Sequence, residues 1–295
     1  MTADNRSVRR PFSDSKAAWL TGGLLFLIVS GLIGLFSGGG IAQQPHIAKV
    51  DITGPIVNAE PTVDLLDKAR DASSVRGVLL RVDSPGGGVG ASEAIFRAVR
   101  RLAREKPVAV SMGGLAASGG YMVSLGGDRI FALDSTLTGS IGVIMMSTGI
   151  YPVLDKIGVV PRIIKSGKFK DSGTPFRKMN GADRDYLQSM VDELYGQFVH
   201  RVAKSRGLKV DKVRPLADGR VFSGKQAVSL GLVDAIGTQQ DAENWVRKEA
   251  GLGPDAPVED LQPPEGWLDE LMPASMAAWL RMGLSPGTRF LYMAD

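Results

Sequence analysis

Residues 77–112 of the chain read GVLLRVDSPGGGVGASEAIFRAVRRLAREKPVAVSM. Two apolar runs, Gly77 to Val82 and Pro107 to Met112, enclose a glycine-rich turn and a segment in which hydrophobic residues recur at helical spacing. The recurring residues are Ala91, Ala94, Ile95, Ala98, Val99 and Leu102. A third apolar run, Ile47 to Val57, precedes them. This alternation of predicted strands with a predicted helix favours an α/β fold with right-handed crossovers between parallel strands.

Two glycine-rich turns directly follow predicted strands. The first, Asp83 to Gly88, can bend sharply and direct backbone N–H groups toward a negative group. We interpret it as half of an oxyanion hole, with a plain tight turn as the structural alternative. A phosphate-binding loop is disfavoured because the Gly-Lys-Ser/Thr ending and the Rossmann glycine spacing are both absent from the sequence.

The second turn, Gly113 to Tyr121, places Ser118 among small residues. A serine at the start of a helix lies next to free N–H groups that stabilise a developing oxyanion, and small neighbours leave room for a substrate backbone. Ser118 is therefore a candidate nucleophile for acyl transfer. A serine in this position also commonly caps a helix, so the assignment depends on finding a base.

An apolar segment near the N-terminus predicts a membrane anchor. No Asp, Glu, Lys or Arg occurs from Ala17 to Ala48, and residues 17–37 are almost wholly apolar. A helix of that length spans roughly 31 Å, about one hydrocarbon core. The residues before it are mainly basic, which predicts residues 1–16 in the cytoplasm and the catalytic part outside it, on the far side of the inner membrane. A cleaved signal peptide is the alternative, although Gly40-Ile41-Ala42 matches its cleavage site weakly.

Composition disfavours several other classes of function. The 295 residues carry 35 Lys and Arg against 31 Asp and Glu without a run of like charge, which disfavours nucleic-acid binding. The 44% hydrophobic content supplies a sizeable core. The absence of Cys excludes thiolate nucleophiles, disulfides and cysteine-ligated zinc. We expect neither a metal ion nor an organic cofactor.

We divide the chain into five parts: a cytoplasmic segment (1–16), a transmembrane anchor (17–37), a flexible tether (38–48), a catalytic domain (49–250) and a C-terminal extension (251–295). The extension combines six prolines with a cluster of Leu, Met and Trp residues. We expect it to pack on the body of the fold. A neighbouring subunit, the membrane interface and the substrate groove are alternative places for it.

A serine nucleophile needs a base, and the two histidines are poor candidates. His46 lies in the predicted tether, and His200 lies on a predicted amphipathic helix without a companion signal. A lysine can take this role when apolar surroundings and nearby cations favour its neutral amine.

Three lysines are candidates for that base. Lys165, Lys168 and Lys170 lie in one polar, glycine-interrupted stretch after a predicted strand, Val159 to Ile164. Chemistry alone does not choose among them. Ser140, in the run Gly-Ser-Ile-Gly, is a candidate hydroxyl for orienting a lysine amine.

Five motifs in a fixed order resemble the short form of bacterial signal peptide peptidase A, a family of membrane-anchored Ser/Lys peptidases. They are Asp83 to Gly87, Ala116 to Tyr121, Gly139 to Gly142, Ser166 to Asp171, and Asp218 to Gly224 followed by Gly231 to Asp234. The resemblance runs from about Lys49 to Gly237. Long forms carry two tandem domains, whereas this chain has one Ser-Gly-Gly-Tyr motif. The resemblance implies a Clp/crotonase-like αβ superhelix of repeated ββα units, preceded by one transmembrane helix.

The resemblance also implies residue roles and an assembly. It assigns the nucleophile to Ser118, the general base to Lys170 and a lysine-orienting hydroxyl to Ser140. It places the oxyanion hole at the N–H of Gly119 with one from Gly86 or Gly87, of which the related Clp-type turn favours Gly87. Short forms close into homo-oligomeric rings in which the serine of one subunit meets the lysine of its neighbour.

The expected substrates are apolar peptides in extended conformation, and the resemblance points to signal peptide remnants released into the membrane. Leu115, Ile141 and Met145 are the predicted lining of the substrate pockets. Two other classes of function stay open at this point: a crotonase-type acyl-CoA enzyme, and a catalytically silent membrane scaffold.

Overall fold

The structure, a computed structural model, describes residues 44–261 and 289–293. The apolar runs of the sequence form three neighbouring strands, β1 (His46–Thr53), β2 (Val75–Ser84) and β4 (Val108–Ala117). Three further strands, β5 (Arg129–Ala132), β9 (Ala235–Ile236) and β10 (Val258–Leu261), extend the sheet in the order β10-β1-β2-β4-β5-β9. Every pairing along this path is parallel, which confirms the predicted α/β fold.

Helices cover both faces of this sheet. On one face lie α1 (Glu60–Asp71), α2 (Val89–Leu102) and α5 (Gly181–Arg206), and on the other lies α8 (Gln239–Glu249). Side chains of β2 alternate between the two faces: Leu80 belongs to the larger hydrophobic cluster, and Leu79 packs in the smaller one with Val246 of α8. Burial on both faces explains why the strand sequences are continuous apolar runs.

The other helices are short: α3 (Gly119–Ser124), α4 (Tyr151–Lys156), α6 (Val210–Val213), the 3-10 turn Arg214–Leu216, and α7 (Gly224–Ser229). The predicted cytoplasmic segment (1–16) and transmembrane anchor (17–37) lie outside the described residues. Within residues 44–261 and 289–293, no helix is both long enough and apolar enough to cross a membrane.

Short strands continue the fold beyond the carboxyl ends of β2 and β4. β6 (Leu137–Gly139) pairs in parallel with the end of β4 and antiparallel with β8 (Val221–Ser223). A separate antiparallel sheet contains β3 (Gly86–Gly88), β11 (Arg289–Met293) and β7 (Ile144–Met146), with β11 in the middle. The C-terminal extension therefore joins the body of the fold twice, because β10 also pairs with β1.

Two predicted boundaries and one predicted strand were wrong. β1 begins at His46, and Ile47 and Ala48 are fully buried, so the tether predicted over 38–48 ends earlier. The first strand ends at Thr53 because Gly54 takes a positive φ of 70°. The strand predicted over 159–164 does not form, since this segment pairs with no strand in the described part of the chain, and a strand needs a hydrogen-bonded neighbour.

A Tyr121→Phe substitution tests how α3 is fixed to the core. Tyr121 is fully buried, and its hydroxyl donates a hydrogen bond to the Leu232 carbonyl at 2.9 Å. Burial raises the pKa of this hydroxyl well above its usual range, so it stays protonated as a donor. Removing it leaves the buried Leu232 carbonyl unpaired, and we expect the free energy of unfolding to fall by about 1–3 kcal/mol.

Urea denaturation of the full chain measures this loss. Tyr186→Phe is the matched control, because Tyr186 is 40% exposed and its substitution should change the free energy of unfolding by less than about 0.5 kcal/mol. Equal denaturation midpoints for Tyr121→Phe and the wild type would contradict the structural role of this hydrogen bond.

Candidate active site

Ser118 lies at the junction between β4 and α3, and its conformation is unusual. Its φ of 53° is in the left-handed region, which costs free energy for a residue other than glycine and occurs mainly at functional sites. Two hydrogen bonds of 2.8 Å hold its main chain: its N–H donates to the Gly139 carbonyl, and its carbonyl accepts from the Met122 N–H. Ser118 adopts this conformation because β4 ends directly before it and α3 begins directly after it, with small residues on both sides.

The Oγ of Ser118 is buried and has no hydrogen-bond partner among the described residues. Buried hydroxyls in folded proteins are nearly always paired, and an unpaired one is destabilising. The Ser118 hydroxyl is therefore an exception to this rule among the described residues.

The two glycine-rich turns meet at Gly119. A methyl group added to Gly119 would lie 3.0 Å from the Gly86 Cα and 3.0 Å from the Gly87 nitrogen, so these backbones are in close contact. Ser84 fixes the first turn, since its hydroxyl accepts from the Gly86 N–H at 3.1 Å and donates to the Gly54 carbonyl at 2.7 Å. The glycines that the sequence assigns to an oxyanion hole are therefore brought together.

Ser92 of α2 is a site residue that the sequence analysis missed. It is fully buried, and its Oγ has no hydrogen-bond partner within the described chain. That Oγ lies 2.5 Å from the position of a methyl group added to Gly119, so it borders the same junction. No sequence signal marks Ser92, because it appears as one more small residue on the buried face of a helix.

Ser140 lies one residue beyond the Gly139 carbonyl that binds the Ser118 main chain. It also has a positive φ, of 47°, and it is 6% exposed. Its N–H donates to the Arg220 carbonyl at 2.9 Å, which joins the residue after β6 to the residue before β8. The structure thus places Ser140 next to the residue that positions the candidate nucleophile.

Among the three candidate lysines, Lys170 has the free amine. Lys165 donates to the Lys168 carbonyl at 3.0 Å and pairs with the Asp171 carboxylate. The Lys168 Nζ lies 5.0 Å from the centre of the Phe169 ring. Lys170 is exposed, and its Nζ makes no hydrogen bond or ion pair with any described residue. Within one chain, the structure does not join Lys170 to the Ser118 hydroxyl.

Arg177 fixes the loop that carries Lys170. Its guanidinium donates to the Asp171 carboxylate at 2.7 and 2.9 Å and to the Asp183 carboxylate at 2.5 and 3.1 Å. These hydrogen bonds hold the pKa of both carboxyl groups well below their usual range. Asp183 also forms a capping box with Asn180 at the start of α5. The lysine loop is therefore tied to the N-terminus of a 26-residue helix.

The segment around Lys170 exposes many large hydrophobic side chains. Those that are at least 37% exposed between residues 144 and 186 are Ile144, Met146, Ile150, Val153, Ile157, Val159, Val160, Ile163, Ile164, Phe169, Phe176, Met179 and Tyr186. We call residues 144–186 the lysine segment. Scattered exposed hydrophobic residues are ordinary, but their concentration in one segment is typical of a protein interaction surface.

The predicted substrate-pocket residues lie in different environments. Leu115 is half-buried, and its N–H donates to the Asp83 carboxylate at 3.2 Å. Met145 is half-buried at the centre of β7. Ile141, in contrast, is fully buried in the main hydrophobic cluster, so in this chain it presents no surface to a substrate. Its hydrophobic character reflects core packing.

Comparison with known proteins identifies relatives of this chain. Residues 100–253 match the model of peptidase family S49, and residues 58–138 match the Clp protease model. A Synechocystis protein named as a putative protease is 40% identical over 227 residues, covering 75% of this chain and 82% of the relative. A protein of Enterococcus faecium named as a putative signal peptide peptidase SppA is 38% identical over 252 residues, covering 81% of this chain and 73% of the relative. A solved structure of a ClpP1 mutant from Listeria monocytogenes has a TM-score of 0.45 and 18% identity, covering 66% of this chain and 93% of that chain.

Proposed function

Because the chain belongs to peptidase family S49, we propose that it is a membrane-anchored serine endopeptidase that uses Ser118 as nucleophile and Lys170 as general base. The observation that carries this proposal is the Ser118 hydroxyl, which is buried, unpaired within the described chain and held at positive φ beside the contact of two glycine turns. A peptide carbonyl that enters this junction would meet a nucleophile on one side and backbone N–H groups on the other.

The proposed reaction has two steps. The neutral Lys170 amine takes the proton of the Ser118 hydroxyl as its Oγ attacks the peptide carbonyl, and the backbone N–H groups of Gly119 and Gly87 stabilise the oxyanion. The ammonium group then gives its proton to the leaving amine, which breaks the peptide bond and leaves an acyl ester on Ser118. Water, deprotonated by the same amine, hydrolyses this ester and restores the serine.

We propose that the lysine comes from a neighbouring subunit. Three features support this: the Ser118 Oγ is unpaired within the described chain, Lys170 is exposed, and the lysine segment presents an uncovered apolar surface. Docking this surface against another subunit would bury the hydrophobic side chains and remove water from the amine. The first effect favours assembly, and the removal of water from an amine favours the neutral form that a base requires.

The proposed substrates are apolar peptides, including remnants of signal peptides after their release from preproteins. This part of the proposal is supported by the relative from Enterococcus faecium and by the apolar segment 17–37, which is expected to hold the catalytic domain at the outer side of the inner membrane.

A fluorophosphonate probe tests the proposed function. We expect covalent labelling of the full chain in detergent, together with cleavage of a fluorogenic apolar peptide. A crotonase-type enzyme uses backbone N–H groups to stabilise an enolate and has no need of an activated serine, and a silent scaffold would leave the probe unreacted. Absence of both labelling and cleavage from an assembled oligomer would therefore overturn the proposal.

An Arg177→Gln substitution should lower activity without touching the reacting groups. It removes the charged partner of Asp171 and Asp183 and loosens the loop that positions Lys170. We expect turnover to fall by about 10- to 100-fold, the size of effect produced by a small misplacement of a catalytic group. Hydrogen exchange should accelerate across residues 165–180.

Arg177→Lys is the conservative control for this prediction. It retains a positive charge beside the two carboxylates but loses the bidentate geometry, so it should recover part of the turnover. A Gln variant with wild-type turnover and wild-type hydrogen exchange would show that Arg177 does not position the loop.

A further inference from the structure

A groove between α2 and α5 concentrates the positive charge of the chain. Its volume is about 940 Å³. Two acidic residues, Asp192 and Glu193, line it against six basic ones: Arg97, Arg100, Arg101, Arg104, Arg201 and Lys204. The excess of four positive charges equals the formal net charge of the whole chain, so the positive and negative charges outside the groove balance.

Half of these cations have no partner. Three of the six pair with carboxylates of α1 or α2, at distances between 2.7 and 3.4 Å. The exposed side chains of Arg100, Arg104 and Lys204 make no hydrogen bond or ion pair with any described residue. A helix dipole favours a cation in the last turn of its own helix, but it does not offset the repulsion between cations on two neighbouring helices. An anion in the groove would therefore stabilise it.

The residue types of the groove suit phosphate. A guanidinium offers parallel N–H donors to two oxygens of one phosphate group, and arginine is typical of phosphate recognition for this reason. The Arg201 guanidinium is already oriented, since it lies 4.7 Å from the centre of the Phe96 ring and donates to Glu93 at 3.1 Å. Carboxylates of an acidic protein offer similar acceptors, so the position of the groove has to decide between the two kinds of partner.

The groove lies at the edge of the sheet where the parallel strands begin. His46, the first residue of β1, faces Val75 at the start of β2, and Val108 at the start of β4 faces Val78. α2 leads the chain back to the start of β4, so its last turn and the following Arg104 lie at this amino edge.

The end of α5 lies at the same edge. Arg206, its last residue, donates to the Asp234 carboxylate at 2.7 and 3.0 Å. The same carboxylate accepts from the N–H of Ile130, the second residue of β5, at 2.8 Å. Lys204 precedes Arg206 by two residues, so unpaired cations of both helices lie on the side of the sheet where β1 begins.

The length of chain before β1 connects this edge to the membrane anchor predicted over residues 17–37. Residues 38–45, between that anchor and β1, can span at most about 28 Å when fully extended. An inserted anchor would therefore keep the amino edge close to the bilayer surface, whereas an acidic protein would have to reach the groove by diffusion.

We infer that the groove between α2 and α5 docks on the phosphate groups of anionic phospholipids in the membrane that holds the anchor. The inference takes the membrane anchor of the proposed function as its premise. Each basic side chain near a negatively charged bilayer adds to the attraction. Docking orients the sheet with its amino edge toward the bilayer and Ser118, which follows the carboxyl end of β4, away from it.

Acylation of Lys204 in the full chain measures this docking. The chain is reconstituted into nanodiscs of phosphatidylcholine alone or of an equal mixture with phosphatidylglycerol, and modification by an uncharged, water-soluble amine reagent is followed by mass spectrometry. We expect Lys204 to react about tenfold more slowly in the anionic nanodiscs, and this difference to disappear at about 1 M salt, where charges are screened within about 3 Å. Lys225, exposed at the start of α7 near the carboxyl end of β5, should react equally in both.

Two double variants with the same change in charge are the matched controls, and all four substituted side chains are exposed. Arg100→Gln with Arg104→Gln should restore the fast reaction of Lys204 in anionic nanodiscs, whereas Arg184→Gln with Lys225→Gln should leave it slow. Equal effects of the two double variants on Lys204 would overturn the inference.

The remaining outcomes separate this inference from its alternatives. Equal Lys204 rates in the two kinds of nanodisc would overturn it and favour an acidic protein as the partner. If inorganic phosphate slows Lys204 to the same extent in phosphatidylcholine nanodiscs, the groove binds a free anion and the inference fails. If the chain does not insert, the anchor and this inference fail together, while the fluorophosphonate probe still tests the peptidase.

Discussion

Replacement of Ser118 with Ala is expected to abolish fluorophosphonate labelling and to lower peptidase turnover by about 10⁴-fold or more. The Oγ of Ser118 is the atom proposed to form the acyl bond, and no other side chain at the junction stands at a positive φ between a strand and a helix start. Removing a hydroxyl that is already unpaired within the described chain breaks no hydrogen bond there. The fold should therefore tolerate the change, and the loss of labelling and turnover should result from the missing nucleophile.

Ser92→Ala is the matched control for this prediction. Ser92 is also a fully buried serine without a hydrogen-bond partner in the described part of the chain, and it borders the same glycine. Its variant should keep covalent labelling. If Ser118→Ala retains labelling and Ser92→Ala loses it, the nucleophile is Ser92 of α2. Labelling that persists in both variants would place the reactive group elsewhere.

The central sheet was predictable because its strands are buried on both faces. Burial requires continuous apolar runs, and such runs separated by one amphipathic helix have few arrangements other than parallel strands with crossovers. The glycine turns were predictable for a related reason. Gly119 has no room for a side chain next to Gly86 and Gly87. The close approach of these backbones therefore requires glycine, and a glycine-rich turn is visible in the sequence.

The predictions from the sequence were wrong where one residue type occurs in two kinds of environment. Ile141 was assigned to a substrate pocket, but its side chain belongs to the core, and hydrophobicity does not distinguish these environments. Four of the six residues 159–164 are the β-branched residues Val and Ile, which predicts a strand, yet the segment is exposed and pairs with no strand in the described part of the chain. The assembly proposed above would bury these side chains against another subunit, an environment that apolar composition alone does not distinguish from a strand.

The pairing of β11 with β3 and β7 could not be predicted from the sequence. Strand pairing across a long separation depends on register, and residues 289–293 carry no signal that names Gly86–Gly88 as their partner. The sequence analysis expected the C-terminal extension to pack on the body of the fold, with a neighbouring subunit, the membrane interface and the substrate groove as alternatives. The pairing of β10 with β1 and of β11 with β3 and β7 places both described parts of the extension on the body of the fold.

Lys170→Ala is expected to lower turnover to the same extent as Ser118→Ala, because a serine without a base is a poor nucleophile near neutral pH. The exposed amine makes no hydrogen bond or ion pair within the described chain, so its removal should leave stability unchanged. The stronger test comes from combining the two inactive variants.

Coexpression of Ser118→Ala and Lys170→Ala chains distinguishes a shared site from a site within one chain. If each site takes its serine from one subunit and its lysine from the next around a ring, an equal mixture assembled at random has both groups intact at about one quarter of its interfaces. We expect about that fraction of wild-type turnover to return on coassembly, while each variant alone stays inactive. A base within the same chain predicts no recovery at any ratio, since every subunit then lacks one of the two groups. Coassembly verified by two affinity tags, with turnover still absent, would contradict the shared site. The exposed hydrophobic side chains of the lysine segment would then need another partner.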